Sequence, residues 1–85
     1  DSSAKSLENT LDELQKAIDD ELGYAEISRL GHSLKGVLLN MGELEWAELA
    51  RFIEKSAGAG KNEKYSELVN GLRKGVESFL NRSRH

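Results

Sequence analysis

Apolar positions recur along the chain at three- and four-residue intervals in four runs, the period of helices that each bury one face. The first run, Leu7, Leu11, Leu14, Ile18 and Leu22, predicts a helix over about 6–20, interrupted by Gly23. A second run through Ile27, Leu30, Leu34, Leu38 and Met41 predicts a helix over about 24–41, ended by Gly42, a residue suited to a left-handed helix terminus. The third, Trp46, Leu49, Ala50, Ile53 and Ala57, predicts a helix over about 43–57 that stops at the turn-forming Gly58-Ala59-Gly60. Tyr65, Leu68, Val69, Leu72, Val76, Phe79 and Leu80 predict a last helix over about 62–82, with Asn62 as its N-cap. Within it, Gly71 and Gly75 mark either a close helix contact or a weak segment, since a mid-helix glycine costs about 1 kcal/mol relative to alanine. No stretch alternates like a strand. Four amphipathic helices with short connections are most simply buried as an antiparallel four-helix bundle, so residues 1–85 are expected to form one all-α domain.

Composition narrows the chemistry. With 85 residues, 38% of them hydrophobic, there is material for one modest core. No proline interrupts the helices, and the absence of cysteine removes disulfides and thiolate metal sites, which suits a reducing, cytoplasmic setting. No apolar run reaches the roughly 20 residues of a membrane span, so no membrane contact is expected. Fifteen acidic against twelve basic side chains leave a net charge of -3, not the basic field of a nucleic-acid partner. The chain begins at Asp1, as a trimmed product or a piece of a longer, multidomain protein would.

Of the two histidines, His85 is terminal and His32 lies mid-run in the second helix. At about 100° per residue, the second apolar stripe fills an arc of about 80°, and His32 falls about 170° from its centre, facing solvent. Ser28, Lys35, Gly36 and Leu39 lie within about 60° of it and share one exposed strip. The bland reading is a surface histidine on a solvated face. The neighbours argue for more. An ordinary imidazole titrates near 6.5, so at neutral pH much of it offers a ring nitrogen able to attack phosphorus. Lys35 can set its ammonium beside phosphoryl oxygens, with Arg29 as a second cation, and Gly36 removes the side chain that would otherwise obstruct a partner's approach. Ser28 is placed to orient the ring, although a solvated hydroxyl is the simpler expectation.

The run His32-Ser33-Leu34-Lys35-Gly36, continued by Asn40-Met41-Gly42 and the apolar Trp46, Leu49, Ala50, Ile53 with Glu54, resembles the signature of histidine phosphotransfer domains of two-component phosphorelays. The resemblance spans about residues 30–54, and the four-helix pattern extends it over nearly the whole chain. It implies that His32 is the phosphoacceptor, that Lys35 assists, and that Gly36 permits receiver docking. Gly31 stands where the family usually has alanine, and Val37, Leu38 and Leu39 where smaller residues are common. Gly31 is expected to weaken the helix locally and Leu39 to alter the docking strip.

Other chemistries fail on spacing. A helical di-metal site needs Glu three residues before a ligand histidine, where this chain has Arg29 and Arg82. Around Gly60-Lys61, a phosphate loop would need glycine at Lys55 and Ser or Thr at Asn62. Ser33 and His32, adjacent on a helix, point apart and make a poor nucleophile pair. The reading is therefore a phosphoryl carrier, not an enzyme, without cofactor or bound metal. Its nucleophile is His32, attacking the acyl phosphate of a receiver aspartate through Nε2, with Lys35 assisting and Arg29, Gly36, Leu39 and Ser28 on the docking face. Its partners would be receiver domains and a hybrid sensor histidine kinase, with the charge-neutralising metal belonging to the receiver. The rival is a non-catalytic helical interaction module in which His32 is incidental.

Overall fold

The computed structural model describes residues 2–83, and for residues 2–4, 79, 80, 82 and 83 the backbone alone. Four helices follow one another, α1 (Ser2–Asp19), α2 (Tyr24–Asn40), α3 (Leu44–Gly58) and α4 (Tyr65–Ser83), and no strand occurs among the described residues. Each helix packs on its neighbours in the chain, and α4 returns to α1, so the bundle closes as an antiparallel ring with α2 against α3 as its most extensive contact. The body is 40 Å long and 22 × 20 Å across.

The stripes account for the core. Leu7, Leu11, Leu14, Leu34, Leu38, Ile53, Val69 and Leu72 are fully buried, and Trp46, Leu49, Ile18, Met41 and Leu68 pack around them. Leu22 departs from the expectation. It lies past the end of α1 and is exposed, and Ala17 takes the last buried place of that stripe. The side chains of Phe79, Leu80 and Arg82 are not described, and His85 lies outside the described residues.

Helix ends explain the shifted boundaries. α1, α2 and α3 all finish the same way: an amide past the end returns to the carbonyl five residues back, and a left-handed residue precedes it. Leu22 N–H donates to the Ala17 carbonyl, Glu43 N–H to Leu38 and Lys61 N–H to Ser56. The left-handed residues are Glu21 (φ 52°), Gly42 (φ 78°) and Gly60 (φ 71°). The glycines at 42 and 60 are the ones the sequence pattern marks as stops, whereas α1 turns on a glutamate before Gly23 is reached. α1 starts at Ser2 rather than near residue 6, and α4 starts at Tyr65 rather than 62, so Asn62 lies in the connection and is not the N-cap.

Two glycines, Gly31 buried and Gly75 half-buried, bring helices together. A Cβ on Gly75 would overlap the six-membered ring of Trp46, which settles that position as a contact of α3 with α4, whereas a Cβ on Gly71 would meet nothing. Gly31 is buried against α3, so its missing side chain is a matter of helix spacing rather than of local weakness.

Candidate functional site

Because Leu30, Leu34 and Leu38 turn the inner face of α2 into the core, the outer face must carry His32, and its side chain is 67% exposed. Relative to His32, Ser28 and Lys35 lie about 40–60° to one side of the helix, and Gly36 and Arg29 about the same angle to the other. α3 borders the first flank. The second is open.

The bordered flank holds the charged contacts of His32 and Lys35. Glu54 of α3 reaches across so that its Oε2 lies 2.8 Å from His32 Nδ1 and its Oε1 3.1 Å from Lys35 Nζ. One carboxylate thus meets two partners, one through each oxygen. Burial alone would raise the Glu54 carboxyl, but hydrogen bonds from Lys35 and His32, and their charges, outweigh it and hold the group below the usual glutamate range. An ionised carboxylate only accepts, so the proton of a neutral imidazole resides on Nδ1 and the lone pair on Nε2. Among the described residues nothing hydrogen-bonds to Nε2.

Other predicted residues are placed differently from one another. Lys35 is tucked in, its side chain 25% exposed, and already paired with Glu54. Ser28 is not a solvated hydroxyl on the docking strip: it is half-buried, and its Oγ donates to the Glu54 carbonyl oxygen at 2.9 Å, because α3 covers that flank. Arg29 is exposed and pairs with Glu26 on its own helix, so its charge is partly answered there. Gly36 has open space where a Cβ would stand, and Leu39 is 49% exposed one turn further along. The exposed strip therefore consists of His32, Gly36 and Leu39, flanked by Arg29.

A family model for the Hpt domain matches residues 4–82, across all four helices. The chain belongs to the Hpt domain family. No curated protein and no solved structure matches it. Hpt domains are phosphocarrier modules of histidine phosphotransfer in phosphorelays, and they interact with receiver and kinase domains. In this Hpt domain no helix among the described residues is long and apolar enough to cross a membrane. Three surface hollows lie away from His32, beside Tyr24 and Tyr65, beside Phe52, and between Asp12 and Arg73. His32 stands on an open helix face.

Glu54 is the residue that sequence reasoning left without a role, although it stands inside the signature. A signal for it exists. α2 and α3 form a hairpin about Glu43, and His32 and Glu54 are each eleven residues from that point, so antiparallel packing brings them level. The same reflection pairs Ser28 with Gly58, and a Cβ on Gly58 would indeed lie 3.3 Å from Ser28 Oγ.

Proposed function

We propose that residues 1–85 act as one phosphotransfer domain in which His32 accepts a phosphoryl group from a receiver aspartate and passes it to another receiver. The observation that carries this reading is the Glu54 carboxylate held between His32 Nδ1 and Lys35 Nζ beneath an exposed ring. With Nδ1 bearing the proton, Nε2 attacks phosphorus, the N–P bond forms as the aspartyl O–P bond breaks, and the aspartate leaves as a carboxylate. No proton has to move. The ring becomes cationic, and Glu54, already bonded to Nδ1–H, lies against the developing charge. Lys35 supplies an ammonium that can shift from Glu54 to the arriving phosphoryl oxygens. For return transfer, the same cationic ring is a good leaving group.

Docking uses the exposed strip, where Gly36 leaves room on the open flank and Leu39, nearly in line with His32, offers an apolar contact. Incubation with a phosphorylated receiver domain tests the proposal. An acid-labile, base-stable label on the protein, absent from His32→Gln and passed on to a second receiver, is the expected result. Binding to receivers without any label would instead favour a plain interaction module.

A further inference from the structure

Resting on the reading of His32 as phosphoacceptor, the geometry points to Gly31 and Ser28 as positioning residues that set how Glu54 meets the imidazole. A glutamate side chain has three rotatable bonds, so a carboxylate that holds two partners at once on a neighbouring helix needs its own backbone to be fixed. Here the backbone of Glu54 is gripped at both ends.

On one side, Gly31 precedes His32 and faces α3. A Cβ at that position would lie 3.0 Å from the Glu54 amide nitrogen, 3.2 Å from its Cα and 3.4 Å from the Ala50 carbonyl oxygen. These are backbone atoms of a packed helix, so they yield only if α3 moves. On the other side, Ser28 Oγ donates to the Glu54 carbonyl at 2.9 Å, one turn before His32. Gly58 permits this in turn, because its Cα hydrogen is all that faces Ser28 Oγ. Gly31 therefore sets the closest approach of α3 and Ser28 holds it there. Between them the side chain of Glu54 is left with the short span to Nδ1 and Nζ. Neither residue touches the reacting nitrogen; both act through the carboxylate.

The consequence reaches Nε2 through the tautomer. If α3 retreats by a few tenths of an ångström, the Nδ1–H···Oε2 bond lengthens and the ring is released to exchange its proton between the two nitrogens. Each molecule with the proton on Nε2 has no lone pair to offer there.

The test is a two-residue cycle on the full chain, with phosphoramidate as a small donor that needs no docking surface. Gly31→Ala, Glu54→Ala and the double variant are compared with the wild type for labelling rate and for the nitrogen chemical shifts of His32 in neutral solution. A misplacement of about 1 Å can cost roughly a hundredfold, so a few tenths predict a loss of about three- to fivefold for Gly31→Ala. In the Glu54→Ala background the same substitution should change the rate less than about twofold, because the residue it acts through is gone. The wild-type shifts should report protonated Nδ1, and Gly31→Ala should report a mixture of tautomers. Should Gly31→Ala lose its helical spectrum, Ser28→Ala carries the same comparison, with a smaller effect in the same direction.

A folded Gly31→Ala that keeps the wild-type tautomer overturns the inference, as does an undiminished rate loss once Glu54 is absent. Complete failure of the wild type to take label would remove the phosphoacceptor reading, yet the nitrogen shifts would still decide whether Gly31 fixes the ring.

Discussion

A carboxylate that binds a histidine through one oxygen and a lysine through the other couples two side chains that would otherwise move independently. Substituting each should therefore have a different signature. His32→Gln should abolish phosphoryl acceptance and leave the melting temperature nearly unchanged, since the ring is exposed and opposite the core stripe. A loss of folding would contradict that placement. Lys35→Ala should slow transfer without abolishing it, because an ammonium assists the charge but is not the nucleophile; rates measured at low and moderate salt would show whether the assistance is electrostatic. Acid should loosen the cluster. The Glu54 carboxyl is held below its usual value near 4.5, so its contribution to stability is present above that pH and is lost as the pH falls through the lower folded value. Denaturant unfolding at a series of pH values should show the wild type converging with Glu54→Gln on the acid side, and a constant difference down to pH 3 would contradict the pairing.

At the scale of elements, the sequence makes some features readable and hides others for definite reasons. The stripes of Leu7 to Leu14, Ile27 to Leu38, Trp46 to Ala57 and Tyr65 to Val76 follow from a helical period that any buried face must obey, so helix number and the outward face of His32 are legible. Gly42 and Gly60 are legible stops because left-handed backbone favours glycine. Glu21 was not, since a left-handed turn on a residue with a Cβ leaves no mark in composition. Leu22 falls outside the core for the same reason: the chain has already turned. The spacing role of Gly31, which the sequence alone suggests only as a local weakness, and the reach of Glu54 are hidden, because the distance between two helices is a property of their pairing and appears in no single run.

Two substitutions test the element-level account. Glu21→Gly should stabilise the protein by about 0.5–1 kcal/mol by relieving the left-handed conformation at the end of α1. Gly75→Ala should destabilise it by about 1–3 kcal/mol, because the new methyl must displace the Trp46 indole. Unfolding midpoints, with Trp46 fluorescence as the probe, measure both.

The whole molecule is a helical ring with His32 standing outside it, so on the proposed function folding and docking are separable. Gly36 is the position where they part. Leucine there meets open space, so it should gain up to about 1 kcal/mol from better helix propensity, while standing one turn from His32 on the face a receiver must cover. Transfer from a receiver should collapse and labelling by phosphoramidate should persist. Full-rate exchange with receivers would remove Gly36 from the docking face.

On the proposed function, Glu54 keeps the proton on Nδ1 so that phosphorus is taken by Nε2. The most direct measurement is phosphorus and nitrogen magnetic resonance of the protein labelled with nitrogen-15 in histidine and phosphorylated by a receiver. Phosphorus coupled to Nε2 of His32, with Nδ1 still protonated, is the predicted result; phosphorus on Nδ1, or on any other residue, would contradict it.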